Sequence, residues 1–509
     1  MTDEGSHPSS DDGSSYRRLL RSSWIIGGSS VGNIVIGLAR VKLLAVLLGP
    51  AGVGLFSLYQ SLMATAGTVA SMGIGTAGTK QVAEASSKED PSDLALARRA
   101  LFWLGLGLAC AGGLIVWALR AVLASALFGS SEHTGAVGWL AVGVALWVAF
   151  EWEKALIQGM RRVGDLARLT VFSATVYTVT GSVLIWQFGE AGLVAYVVVG
   201  PLASFLLGSV YVARLPRAPR APFSWQATAQ QWQTLVSTGI AFMGALLAST
   251  LVQLWIRVMV KDQLGTEPLG HYQAAWTITT QYLDFVLIAM AAEYFPRLSG
   301  VVGDKVTARR LVNEQTEIAV LISAPVIVAM LGLTPWVVSL LYSSEFAPAV
   351  TVVRWQLLGD VFKVAGWPLG FVMIASGAGK RYFFAQASSL LLMGGLITGL
   401  APSLGLRITG IASLVSQVYY LPLVYWFGRR KIDFHWTGHL VRLLLVALVL
   451  SVGAGVLSAV FHWGVYVSIC IALMLGFYSL GRLAHVSELK GPLGRAGRFA
   501  HSVTSRLGL

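Results

Sequence analysis

Charge is what this 509-residue chain has least of. Asp, Glu, Lys and Arg make up 12% of it, roughly half the share in a soluble domain. By contrast 55% is hydrophobic and the mean hydropathy is +0.69, which excludes a soluble globular chain. Cysteine is nearly absent. Cys110 and Cys470 both fall inside apolar segments, so no disulfide framework is indicated and buried, inert thiols are expected. No G-x-x-x-x-G-K-[ST] run occurs, and Gly377-Ala378-Gly379-Lys380-Arg381 reads as a basic loop between helices; an ATPase of the phosphate-loop class is excluded. His435 and His439 are four apart with nothing nearby to complete a ligand set, so neither a metal nor a cofactor is expected. No G-x-S-x-G elbow or cysteine nucleophile stands out, and no enzyme is expected. The first sixteen residues are polar, and no short apolar stretch with a small-residue cleavage site follows. The first apolar segment is therefore expected to act as an uncleaved anchor.

What the chain does have is long apolar runs. They lie at 22–48, 53–76, 98–119, 136–158, 167–188, 190–213, 234–260, 271–296, 315–341, 349–377, 382–402, 407–428, 439–463 and 464–485. Each has about the 20 residues needed to cross ~30 Å of hydrocarbon. The closely spaced pairs 167–188/190–213 and 439–463/464–485 leave a re-entrant hairpin open. The cations test this map. Of 37 Lys and Arg residues, Arg120, Lys261 and Arg407 fall on one side, and Arg40, Lys42, Arg257, Arg354 and Lys363 lie within segments. The remaining 29 gather at loops and termini on the other side, which the positive-inside rule makes cytoplasmic. The net charge of +13 is thereby explained by topology, and nucleic acid is not an expected partner.

The chain also repeats itself. Leu48-Gly49-Pro50-Ala51-Gly52-Val53-Gly54 returns 216 positions later as Leu264-Gly265-Thr266-Glu267-Pro268-Leu269-Gly270. Gly192-Leu193-Val194-Ala195 resembles Gly410-Ile411-Ala412-Ser413, 218 positions on. Six segments per repeat is an even number, so both halves enter from the same side and the repeat is parallel. The expected fold class is all-α: a polytopic integral membrane protein with about 14 transmembrane helices, in two pseudo-symmetric six-helix lobes plus two C-terminal helices. The expected organisation is a polar cytoplasmic N-terminus at 1–21, an N-lobe at 22–213, a linker at 214–233, a C-lobe at 234–428, the extra pair at 439–485 and a basic tail at 486–509. Gly49, Gly54, Gly265 and Gly270 are singled out as hinge or turn residues that the structure requires.

A Lys, Arg or Asp at the centre of a membrane helix costs about 2.5–3.5 kcal/mol, so each must be paired, hydrated or useful. On segment 1, Ser29, Asn33, Gly37 and Arg40 form one helical stripe, with Lys42 on another face. On segment 7, Gln253 and Arg257 are four apart; snorkelling to the interface is the plain alternative for Arg257. Segment 8 carries Gln273, Thr277, Gln281 and Asp284 at spacings of 4, 4 and 3. Segment 10 carries Gln356, Asp360, Lys363 and Trp367, where a structural Asp360–Lys363 pair is the plain alternative. Arg354 is expected at the interface or against a neighbouring helix. Glu151, Glu153, Lys154 and Glu293 read as boundary charges or inter-helix pairs. Arginine binds two phosphate oxygens at once through its planar fork, so basic side chains from both lobes meeting in one wet chamber would hold an anionic headgroup.

Two stretches resemble a known family: Lys42 through Leu55, across the first hairpin, and Trp355 through Pro368 on segment 10. They resemble the oligosaccharide-lipid flippases of the multidrug/oligosaccharidyl-lipid/polysaccharide exporter superfamily, in particular the O-antigen and enterobacterial-common-antigen (Wzx-type) translocases. The likeness spans about residues 20–430. It implies two lobes around a cavity open alternately to each side. It also implies an undecaprenyl-diphosphate-linked glycan carried from the cytoplasmic to the periplasmic leaflet of the bacterial inner membrane for O-antigen, common-antigen, capsule or exopolysaccharide synthesis. On that reading Arg40, Arg257, Lys42 and Lys363 bind the diphosphate, and Asp284 and Asp360 couple an ion or balance charge. Asn33, Gln60, Gln253, Gln273, Gln281 and Gln356 give the cavity its polar lining. Membrane lipids, a polysaccharide polymerase and a chain-length regulator are the expected partners. Many Wzx-type proteins have twelve helices; the extra pair here is similar to that of the peptidoglycan lipid II flippases. The alternatives are a cation-coupled multidrug antiporter, whose cavity should favour carboxylates, and a membrane glycan polymerase or ligase, which should carry a large outer loop.

Overall fold

The computed structural model describes residues 10–87, 91–216 and 225–487, and among them there are helices and turns but no strand. The 217–224 part of the expected linker, the tail from 488 and the first nine residues lie outside the described residues. Ten described helical stretches are long and apolar enough to cross a membrane; two of them, Gly32–Ser71 and Val163–Ala213, are 40 and 51 residues long and each contains a break. This is an all-α polytopic membrane protein.

Helices α1 (Ser10–Ser71), α2 (Ile74–Ser87), α3 (Pro91–Ala118), α4 (Arg120–Phe128), α5 (Thr134–Gly159), α6 (Val163–Phe188) and α7 (Leu193–Ala213) come first. They are followed by α8 (Trp225–Leu264), α9 (Thr266–Val301), α10 (Lys305–Leu341), α11 (Ala349–Ala375), α12 (Gly379–Leu404), α13 (Arg407–Ile432), α14 (Gly438–Val460) and α15 (Gly464–Ser487). α1 starts ahead of residue 22 and holds the first two expected segments, separated at Gly49 (φ 63°, ψ −171°). Residues 77–97, left outside the expected segments, contain most of α2, which starts at Ile74. Its buried Ile74, Ala77, Gly78, Val82 and Ala85 form one stripe, with Lys80 and Glu84 outside it. The two ambiguous pairs are each two full helices: α6 and α7 join through a 3₁₀ turn at Gly189–Gly192, and α14 leads into α15.

The chain forms two compact units: residues 1–48 with 56–254, and residues 49–55 with 255–509. In the first, α5 packs against α2, α3 and α7, and α6 lies on α7. Ile74, Leu101, Ala155, Leu156 and Leu235 form the core there. The early part of α8 belongs to this unit because Trp232 donates its indole N–H to the Ala100 carbonyl at 2.9 Å. Gly239 also sits so close to Met72 and Gly73 that a Cβ on Gly73 or Gly239 would collide with the other segment's carbonyl.

In the second unit α11 is central, packed by α9, α10 and α13. α14 and α15 belong to this unit as well, both against α10. Arg354 reaches a neighbouring helix, donating to the Ser458 carbonyl at 2.8 Å, and Arg482 pairs with Glu317 at 3.0 Å. The repeated turns meet each other here. Gly49 and Gly265 (φ 63° and 101°) take a conformation open to glycine, whereas Gly54 and Gly270 are helical. A Cβ on Gly54 would run into the Thr266 carbonyl, and one on Gly270 into that of Pro50. The first pair makes the turns, and the second lets two backbones touch.

One expectation is corrected. Cys110 and Cys470 are not buried; both are exposed, on α3 and α15. They share those helices' outer faces with Leu114, Ile115, Trp117, Leu473 and Met474, and such apolar perimeters are what lipid covers. An exposed cysteine among them behaves as one more small hydrophobe.

Candidate functional site

In the first unit a cavity of about 430 Å³ opens among α1, α5, α6 and α7. Asn33, Arg40 and Gln60 of α1 line it together with Glu151, Lys154 and Tyr177. Three of the expected residues therefore share one space: Asn33 and Arg40 from the stripe before the Gly49 break, and Gln60 from beyond it. Lys42 lies outside that lining. The Arg40 guanidinium is 4.9 Å from the Tyr177 ring centroid, a cation–π contact that fixes the charge without neutralising it. Among the described residues no carboxylate pairs with Arg40. Asn33 donates to Thr170 Oγ1 at 3.4 Å, while its own Oδ1 is buried without a hydrogen-bond partner. Lys154 pairs with Glu151 at 3.0 Å, one turn along α5.

In the second unit Arg257 does not snorkel: it is 8% exposed, and its Nε donates to Gln273 Oε1 at 3.0 Å. Gln273 in turn donates to Thr277 Oγ1 at 3.1 Å, which also satisfies the polar face of α9. Two rungs tie α9 to α11. Thr279 donates to Gln356 Oε1 at 3.0 Å, and Tyr282 donates to Asp360 Oδ2 at 2.7 Å. Gln356 and Asp360 are thus turned into a helix–helix contact. Lys363 is half-buried one turn further along and Gln281 is exposed; Gln253, which belongs to the first unit, donates to Ser249 on its own helix at 3.2 Å. Asp284 is in α9, but its side chain lies outside the described residues.

The comparisons with known proteins bear on the whole chain. The family described as polysaccharide biosynthesis protein matches residues 43–351, more than half of the sequence. The chain belongs to the polysaccharide biosynthesis protein family. Among curated proteins it is similar to the lipid III flippases of Escherichia coli (strain K12) and Shigella flexneri. Each is 25% identical over 433 residues, which cover 81% of this chain and 99% of the relative. Among solved structures it is similar to lipid II flippase MurJ in an inward closed conformation, with a TM-score of 0.67 at 11% identity over 90% of this chain and 98% of that one. An inward-facing multidrug resistance MATE family transporter of the MOP superfamily also has a TM-score of 0.67, at 14% identity over 79% and 94%. These structural likenesses show the fold.

For this member of the polysaccharide biosynthesis protein family, several site residues escape a reading by segment. Thr170, Ser173 and Tyr177 are spaced 3 and 4 on α6 and all line the first-unit cavity, a stripe as regular as the one on α1. Glu151 and Lys154, read as boundary charges, are on its wall as well. Tyr282 falls outside the 273, 277, 281 and 284 spacing that marks the polar face of α9. Glu153 is 1% exposed between α5 and α7; one oxygen accepts from Ser209 at 2.5 Å, and Oε2 is buried without a partner in space that Gly208 leaves open. Its sequence neighbours Glu151 and Lys154 face elsewhere because successive helical positions are turned by about 100°.

Proposed function

We propose that this protein is a flippase for a lipid-linked oligosaccharide, with Arg40 gripping the phosphate of the lipid carrier. The first-unit cavity carries the reading. Its wall holds Arg40, Lys154 and Glu151, and because Glu151 is taken up by Lys154 one positive charge is in excess. An anion fits that balance, whereas a cationic drug would call for carboxylates in excess. The multidrug transporter likeness thus supports the scaffold and not the cargo. The named relatives add support, since the two curated lipid III flippases align over almost their full length.

The cargo is an undecaprenyl-diphosphate-linked glycan, moved from the cytoplasmic to the periplasmic leaflet of the inner membrane, with both termini cytoplasmic. Arg40 binds two diphosphate oxygens through its fork. Its place over Tyr177 limits the rotamer freedom lost on binding. Gln60 and the Trp147 ring on the same wall supply hydrogen bonds and stacking for sugars. Arg257, Lys42 and Lys363 are further candidates for the diphosphate, and Asp284 and Asp360 for ion coupling or charge balance. The hydrophobic carrier stays in the bilayer while only the headgroup enters the protein.

The test is glycan export in cells whose own flippase has been deleted. Removing a charged hydrogen bond of about 1.5–3 kcal/mol lowers export roughly 10- to 100-fold. Arg40→Ala is expected to do so at normal membrane abundance, with Arg40→Lys falling between. Unchanged export by the Arg40→Ala, Arg257→Ala double variant would remove the proposed anion site.

A further inference from the structure

A second cavity, of about 500 Å³, opens in the second unit where α11 passes into α12 and α13 ends. Lys380 and Arg381 line it from one side, Arg430 and Lys431 from the other, with Ser376 and Phe427 between them. No carboxylate is on this wall, and among the described residues none pairs with any of the four cations. Several other cations of this protein have a carboxylate partner. Arg162 and Arg168 share Asp165, Arg297 has Glu293, Arg310 has Glu314 and Arg482 has Glu317. Asp433, only two residues from Lys431, is engaged by Lys305 at 2.9 Å. All four side chains are exposed, so water screens their mutual repulsion, but no carboxylate of the lining offsets it.

The surroundings indicate what would. α12 and α13 are candidate membrane spans by length and composition, and the cavity lies at their ends, where a span meets the headgroup region. Arg430 is stacked 4.1 Å over the ring of Trp426, which is 52% exposed. Phe384, one turn into α12 from Arg381, is 67% exposed. Tryptophan at the end of a span marks the headgroup boundary, and exposed apolar side chains beyond it face acyl chains. Arg381 lies 5.7 Å from the Phe427 ring, so both arginines are held by aromatic faces and their N–H groups remain available.

We propose that Lys380, Arg381, Arg430 and Lys431 form a binding site for the phosphodiester headgroup of an anionic membrane phospholipid. A basic pocket between helix ends at the membrane surface suits such a headgroup. The exposed apolar side chains around it favour a lipid over a soluble phosphate, because the acyl chains can remain against Phe384 and Trp426. The site is separate from the Arg40 cavity and does not depend on what cargo that cavity carries.

The experiment uses the full chain in nanodiscs. Native mass spectrometry counts retained lipid, and thermal unfolding is compared between discs of phosphatidylcholine alone and discs containing cardiolipin or phosphatidylglycerol. The wild type is expected to retain anionic lipid and to unfold at a higher temperature in its presence. Each cation removed weakens retention about fivefold, so Lys380→Gln/Lys431→Gln lowers it about 25-fold. That double variant leaves both arginine–aromatic contacts intact, and it serves if the fourfold alanine variant does not fold. Equal retention by the double variant, or a wild type indifferent to anionic lipid, overturns the proposal. So does an equal stabilisation by inorganic pyrophosphate in phosphatidylcholine discs, which would make the pocket a site for soluble anions.

Discussion

Arg40 and Arg257 occupy near-equivalent places ahead of the two repeated turns, and their surroundings give them different characters. Arg40 is half-buried, rests on an aromatic face and looks into open space. Arg257 is buried and held by Gln273. Arg257 is 8% exposed while Arg40 lines an open cavity, which makes Arg40 the stronger candidate for first contact with an anion. Outside the membrane spans, Asp304 caps α10. Its carboxylate accepts from the Thr307 hydroxyl at 2.5 Å and from the Val306 and Thr307 amides at 3.0 and 3.4 Å. These bonds favour the ionised form, those from Thr307 first, and hold its pKa below the ordinary carboxylate value. A depressed folded pKa stabilises above the unfolded value and is lost as pH falls through the folded one. Purified wild type is therefore expected to melt above Asp304→Ala at pH 7, with the gap closing as pH drops below about 4. A gap that persists to pH 2 would contradict this account of the cap.

Helices in this protein approach closely at some of its glycines and not at others, and the repeat motif shows why its glycines differ in kind. Gly49 and Gly265 turn the chain, while Gly54 and Gly270 permit backbone contact between the two copies. Both roles follow from the missing side chain, but only the first is local. Adding one methyl at Gly54 or Gly270 forces the helices apart. Gly54→Ala and Gly270→Ala are each expected to lower stability by about 1–3 kcal/mol, the range for overpacking. Gly107→Ala, on an α3 position with nothing within 4 Å, should instead gain about 0.5–1 kcal/mol. Thermal unfolding in detergent checks the pair of signs. The sequence showed that these glycines recur; the distinction between turning and touching requires the other copy to be present.

At the scale of the whole molecule, the bias of Lys and Arg gives the chain a direction that the fold alone lacks. On the positive-inside rule, residues near 86 are expected in the cytoplasm and those near 132 outside. The native thiols must first be removed, since Cys110 and Cys470 are both exposed. In a Cys110→Ser/Cys470→Ser background, Glu132→Cys is expected to react with a membrane-impermeant maleimide in intact spheroplasts. Ser86→Cys should react only after permeabilisation. The reverse labelling pattern would invert the map and with it the direction of transport.

The sequence by itself determined the class of protein, most of the membrane segments and the repeated turn. Those depend on hydropathy, segment length and local backbone conformation, all of which are written in consecutive residues. It also placed Asn33 and Arg40 on one face of α1, because 3.6 residues per turn fixes direction around a helix's own axis. Which neighbour that face meets is a different matter. Tertiary structure decided that Arg40 and Gln60 share a cavity with Tyr177 and Lys154, while Gln356 and Asp360 lie locked between α9 and α11. It also brought the start of α12 and the end of α13 together as a basic bowl. Helical periodicity says where a side chain points, and the close packing of other helices decides whether it points at solvent-filled space, lipid or a partner.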